Sequence, residues 1–221
     1  WSKARDSLKM DGKLDEEFWT AYNYPRKLRE FRTKGKPKDE TLFMARWWNG
    51  SLYFGIRCEF DPDTPPVIGS KKNHDPAIWQ GEHLELLIET NKNSYYQIVV
   101  NPAGAVIDLD RGVPLRQRKA YEWSSQAEAA THLGKDFWSV EIRLPVTSSD
   151  EDPLHQMIGD QPFEAKAKAL ASGKGTSLPW YFNLFRKRSG TDEVETSSFS
   201  PLTENAKSFH EPLRFGKIYV R

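Results

Sequence analysis

Apolar and polar residues alternate with a period of two in many short stretches of this chain. Leu52, Phe54, Ile56 and Cys58 form one apolar series, and Trp138, Val140, Ile142 and Leu144 form another, interleaved with Ser139, Glu141 and Arg143. Further on, Leu84, Leu86 and Ile88 share a face, leaving Glu85, Leu87 and Glu89 on the other. Successive side chains of a strand point to opposite faces, so this period predicts strands with one face in a core. Strands are expected over 42–48, 52–58, 84–89, 95–101, 105–110, 123–132, 137–144, 180–188, 196–199 and 214–220. Asn49-Gly50-Ser51 between the first two is a strong hairpin signal. Short, numerous strands predict an all-β fold, an antiparallel β-sandwich of immunoglobulin-like or jelly-roll type. The alternation in 137–144 also predicts a sheet wet on its Ser139, Glu141 and Arg143 side.

Two stretches break the pattern. Asp15-Glu-Glu-Phe-Trp19 reads as a short N-terminal helix capped by Asp15, with Phe18 and Trp19 against a sheet. Residues 148–179 lack alternation, carry helix formers over 163–170 and end in a Gly-rich run, which predicts a partly helical insertion in a loop of the sandwich. The length suits one domain, 1–221, with ample core.

Charge excludes some partners. With 32 Lys and Arg against 31 Asp and Glu, the formal charge is +1 and the signs are mixed along the chain. That balance gives no general attraction to nucleic acid or to an anionic membrane, and no apolar run reaches the length of a bilayer span. Cys58 ends an apolar series, so it reads as a buried structural thiol. The sequence starts at Trp1 rather than Met, which suggests that a leader or an upstream domain precedes it.

The densest chemistry lies at 75–89. Trp79 sits in a turn marked by Pro76 and Gly81, just before the strand that carries Glu85. A flat ring beside a carboxylate can stack a pyranose and accept hydrogen bonds from its hydroxyls; a core plug at a strand start is the structural alternative. Other stretches belong with this one: Met10-Asp-Gly-Lys-Leu-Asp15-Glu-Glu-Phe-Trp19, Trp48-Asn-Gly-Ser-Leu-Tyr-Phe54, Tyr95-Tyr-Gln-Ile-Val-Val-Asn101, Trp138-Ser-Val-Glu-Ile-Arg-Leu-Pro145, Phe182-Asn183 and Phe209-His-Glu-Pro-Leu-Arg-Phe-Gly216. In this order the chain resembles the family 9 carbohydrate-binding modules and their relatives over nearly its whole length.

The resemblance implies noncatalytic binding of a polysaccharide or oligosaccharide between two aromatic rings. It matches Trp79 to the first ring, Glu85 to the acidic position, Asn101 and Asn183 to asparagines closing or lying in the site strands, and Phe199 to the second ring, where a Trp is usual. A basic residue expected shortly before Asn101 is Val99 here, and Arg186 or Arg188 would have to supply that guanidinium. The resemblance further implies a secreted or periplasmic monomer that works beside a glycoside hydrolase, and a calcium ion held by Asp61, Asp63 and Asp75. Asp-Pro pairs also start turns without any metal.

Two rival readings stay open. A glycosidase needs two carboxylates roughly 5–9.5 Å apart, and the many acids of this chain permit such a pair. Some sandwiches of the wider superfamily bind b-type haem, and Met10, Met44, Met157 and the five histidines permit that as well. No zinc, nucleophile-elbow or phosphate-loop motif is present, and His210 reads as a structural tie near the last strand.

Overall fold

In the computed structural model, residues 8–21, 24–49, 51–89, 95–111, 119–145, 180–203, 205 and 209–218 are described. The expected insertion at 148–179 lies outside them. The chain folds as an antiparallel β-sandwich. Its first hairpin joins β3 (Thr41–Trp48) to β4 (Ser51–Glu59), with β1 (Arg26–Lys27) and β2 (Arg29–Glu30) before it. Trp48 pairs with Ser51, so the turn has two residues, and Asn49 takes the left-handed φ of 45° that such turns require.

One sheet has five strands in the order β1, β3, β4, β9 (Phe137–Pro145) and β8 (Glu128–Leu133). The other has the order β2, β11 (Glu195–Ser198), β10 (Trp180–Arg188), β5 (His83–Glu89), β6 (Tyr95–Val100) and β7 (Val106–Asp110). A seventh strand, β12 (Gly216–Ile218), pairs with the beginning of β10, while β11 pairs with its end. The facing sides supply the core: Phe43, Leu52, Phe54, Ile56, Cys58, Trp138, Val140, Ile142 and Leu144 from one sheet, and Leu84, Leu86, Ile88, Tyr96, Ile98, Val100, Phe182 and Leu184 from the other. The alternation assigned these faces. Burial also pushes the Cys58 thiol up to about 12, which keeps it protonated and inert.

Three local expectations need correction. The strand expected from Trp123 begins only at Glu128; Trp123 instead stacks on Tyr96 at 4.2 Å, after a helical turn α2 (Lys119–Glu122). The first helix, α1 (Glu17–Thr20), has Glu16 at its N-cap with no side-chain cap, so Asp15 does not cap it. The outer face of β9 is dry at Ser139 and Glu141, where it was expected to be wet, and stays half exposed only at Arg143. Glu141 is fully buried and accepts hydrogen bonds from Asp11 N (2.8 Å), Gly12 N (2.7 Å) and Trp19 Nε1 (2.7 Å). The N-terminal segment, with Phe18 and Trp19 buried on the sheet, covers that face. Strand parity names a face, but a distant segment decides whether water reaches it.

Candidate functional site

The outer face of the seven-stranded sheet carries the chemistry. Register places Phe185, Glu85, Val99 and Ile107 side by side across β10, β5, β6 and β7, and Asn183, Leu87, Gln97 and Leu109 in the next row. His83 lies opposite Lys187 in the row beyond Glu85.

Trp79 reaches this face on a single 3-10 turn over Pro76–Gln80. Asp75 caps the turn by accepting from Ala77 N at 3.0 Å, and Ser70 Oγ donates to its other oxygen at 2.6 Å. These bonds, the Ser70 one foremost, hold the Asp75 carboxyl below its usual range. A side chain at Gly69 would overlap the Ala77 carbonyl, so glycine lets this loop lie against the turn. Lys187 Nζ donates to the Trp79 carbonyl at 2.6 Å, tying the turn to β10. The half-buried Trp79 ring packs against Ile78, Val99, Ala105, Ile107 and Leu109.

Glu85 forms the polar floor beside it. The carboxylate is 2% exposed, accepts from Gln97 Nε2 and meets His83 Nε2 at 3.1 Å. Gln97 is equally buried, and its Oε1 has no hydrogen-bond partner among the described residues. Over the neighbouring row lies a second aromatic group. Phe209 packs 4.7 Å from Phe185, and His210 stacks on Tyr95 with its Nδ1 2.7 Å from the Tyr95 hydroxyl. Arg111 Nε donates to the same hydroxyl at 3.3 Å. Burial, reinforced by Arg111, pushes the His210 imidazole down, so it stays neutral at pH 7. Phe215 and Leu202 complete this cluster with Leu87.

The remaining residues singled out from sequence go elsewhere. Asn101 is fully buried: its Oδ1 accepts from Ala103 N and Ala105 N, and its Nδ2 donates to Ser70 O at 2.7 Å. Asn183 likewise spends its amide on Ser200, donating to Ser200 O and accepting from Ser200 N, both at 2.9 Å. Phe199 points into the core, stacked on Phe182 at 5.1 Å and edge-on to Phe43. A Cβ on Gly216 would come within 2.5 Å of its partly buried ring, so Gly216 lies against its edge. Arg186 and Arg188 also face inward. Glu82, fully buried, binds Arg186 Nε at 2.8 Å, Arg188 Nη1 at 3.3 Å and Trp138 Nε1 at 2.9 Å. Arg188 Nε pairs with Asp39 at 2.6 Å. These guanidiniums lock the two sheets together rather than restoring a cation to the outer face.

Asp61 accepts from Asp63 N in a two-residue side-chain turn, and Asp75 is the cap just described. Among the described residues no group of three or more acidic, His or Cys side chains converges as a cation site. Met10 and Met44 pack around Trp19 on the five-stranded sheet, and His155 and Met157 lie outside the described residues. A cleft of about 210 Å³ on that same sheet is lined by Leu14, Trp19, Pro25, Met44 and Arg57. No carboxylate is among its lining residues, the Glu141 carboxylate behind Trp19 being fully buried.

No protein-family model matches the sequence, and no curated protein matches it. Solved structures do. Over 97% of this chain and 90% of the other, it superposes with TM-score 0.60 and 16% identity on a family 9 carbohydrate-binding module from Caldicellulosiruptor kristjanssonii in complex with cellotriose. The glucose complex of a family 9 module from the same organism gives TM-score 0.58 and 15% identity over 97% and 92% of the two chains. The fold is that of a family 9 carbohydrate-binding module. A candidate carbohydrate-binding protein from Bacteroides uniformis shares it as well, at TM-score 0.59 and 13% identity over 90% of this chain and 86% of that one.

Proposed function

We propose that this protein binds carbohydrate without transforming it, stacking a pyranose face on Trp79 at the outer face of the seven-stranded sheet. The observation that carries the reading is a half-buried Trp79 ring packed on the cluster of Val99, Ile107 and Leu109, next in strand register to Glu85 and Gln97 on that face, in a fold shared with modules complexed with glucose and cellotriose. The ring supplies dispersion and CH–π contact, and the carboxylate and amide supply acceptors for hydroxyls. Asn101 and Asn183 support the site from beneath by fixing the turns around it. On this reading the partner is a polysaccharide or oligosaccharide, the protein acts as a monomer outside the cytoplasm, and a glycoside hydrolase acts on the same material.

The test is titration calorimetry with cellotriose and a panel of soluble oligosaccharides, on the wild type and on Trp79→Ala. Binding in the wild type and its loss in a folded Trp79→Ala variant is the expected outcome. Binding that survives the substitution unchanged removes Trp79 from the site.

A further inference from the structure

We infer that the cationic edge formed by residues 26–38 extends the carbohydrate site and selects an acidic polysaccharide, one that carries carboxylate or sulfate groups; the inference rests on the reading of the outer face just given. Residues 26–38 hold seven basic side chains and one acid, Glu30, and all seven basic residues are exposed. The formal charge of the whole chain is only +1, so the rest is net negative and the positive excess is concentrated here. β1 and β2 are the outermost strands of the two sheets, and Leu28, buried between them, passes the chain from one sheet to the other. One segment thus lines the edge of both sheets with cations. Little neutralises it. Glu40 pairs with Lys27 at 2.8 Å and Asp39 is taken by Arg188, while Glu30 and Glu195 accept from the backbone N–H groups of Arg32, Thr33 and Lys38. Arg26, Arg29, Lys34, Lys36 and Lys38 make no ion pair among the described residues. Charges at a sheet edge also keep strands of other chains from pairing there, but either sign does that, and a mixture avoids the self-repulsion of a single-sign field. A single sign fits an anionic ligand.

Strand register carries this edge up to Trp79. Lys187, whose Nζ holds the Trp79 carbonyl, pairs with Thr196 of β11, and Phe31 N donates to the Thr196 carbonyl at 3.2 Å. The Arg32 guanidinium lies over the Phe31 ring, 4.7 Å from its centre. Lys187, Thr196 and Phe31 are all partly exposed, and two strand separations from β10 to β2 amount to about 9.5 Å. A partly open track therefore runs from the turn of Trp79 to the cations. A chain of several sugar units can follow it and a single sugar cannot. Trp79 stacks an uncharged pyranose face, while the edge adds a salt-dependent attraction for acidic groups further along the same chain, with arginine forks suited to carboxylate and sulfate. Continuity with the outer face favours a polysaccharide over a nucleic acid or an anionic membrane.

The experiment is calorimetry against an oligogalacturonate, a heparin oligosaccharide, neutral cellotriose, duplex DNA and anionic phospholipid vesicles, with melting temperatures alongside. At low salt at least one acidic oligosaccharide should bind about tenfold tighter than cellotriose, and that margin should vanish at about 1 M salt, where the screening length falls to about 3 Å. Arg26→Gln, Arg29→Gln and Arg32→Gln combined should weaken the acidic ligand about tenfold and cellotriose less than about twofold. Lys9→Gln, Lys13→Gln and Lys135→Gln combined remove the same charge from the N-terminal segment and the turn between β8 and β9, and should weaken the acidic ligand less than about threefold. Three results would each overturn the inference and leave the outer-face reading standing, provided that cellotriose still binds through Trp79. They are no acidic oligosaccharide tighter than cellotriose, equal losses in the two triple variants, and DNA or vesicles bound more tightly than either acidic oligosaccharide. Unchanged affinity for every oligosaccharide in Trp79→Ala, or no binding of any of them by the wild type, would overturn both. Should the arginine triple fail to fold, Lys34→Gln, Lys36→Gln and Lys38→Gln combined decide alone, unchanged acidic affinity counting against the edge.

Discussion

A single side chain can look like a ligand platform and be a structural wedge. Phe199 occupies the place of a second stacking ring in the family pattern, yet it follows Ser198, whose partner Phe185 is on the outer face, so parity turns it inward onto Phe182. Phe199→Ala should therefore cost about 3 kcal/mol of stability, the low end for a buried Phe because the ring is only partly buried. Chemical denaturation measures this, and a loss confined to affinity would return Phe199 to the site. The same parity separates Asn183 from Arg186: three residues apart on one strand, they cannot share a face. Asp61, Asp63 and Asp75 present another such choice. A cation bound only to the folded state raises the melting temperature by mass action. With Asp61 and Asp75 already serving as turn acceptors, the expected melting curves in calcium and in chelator coincide, and a separation of several degrees would establish a calcium site.

At the level of elements, one tie between the sheets is ionic. Glu82 bonds to Arg186, Arg188, Trp138 and the Ser189 N–H, so removing its charge strips Arg186 of its carboxylate partner and leaves Arg188 with Asp39 alone. Glu82→Gln should destabilise the fold by about 3–5 kcal/mol; an unfolding midpoint close to that of the wild type would show that Asp39 and the carbonyls suffice. Most strands were legible in the sequence because their inner faces are predominantly apolar, Arg186 and Arg188 of β10 being the inward-facing exceptions. β3, β4, β5, β9 and β10 lie within a residue or so of their expected ends. The turn bearing Trp79 was legible from Pro76 and Gly81, and Glu85 from the alternation that follows; Gln97 could have been added by registering β6 against β5. Phe209 and His210 were not legible as part of that surface. The segment holding them has no period, and its place is set by long-range contacts with Phe185 and Tyr95 that no local pattern encodes. Glu141 illustrates the converse: its face was read correctly and its cover was not.

Across the whole molecule, these contacts make stability depend on pH. His210 has a depressed folded-state pKa and faces Tyr95, Arg111 and Glu85. Its unfolded form takes up a proton near 6.5 while its folded form resists. The neutral imidazole thus contributes fully above about pH 6.5, and that contribution is lost as pH falls from there through the lower folded value. Denaturation midpoints at pH 7.5 and pH 5 should fall more in the wild type than in His210→Gln; parallel falls would exclude His210 as the source. The segment bearing it leaves β11 after Ser198, paired with Phe185, and rejoins the same strand at Gly216, paired with Phe182. Its two ends are moored only three residues apart on β10, about 10 Å. A loop so anchored can change length cheaply, since each doubling adds only about 0.6 kcal/mol of closure cost. The segment is thus an exchangeable cassette: insertions or deletions between its moorings leave β10 and the turn that carries Trp79 untouched.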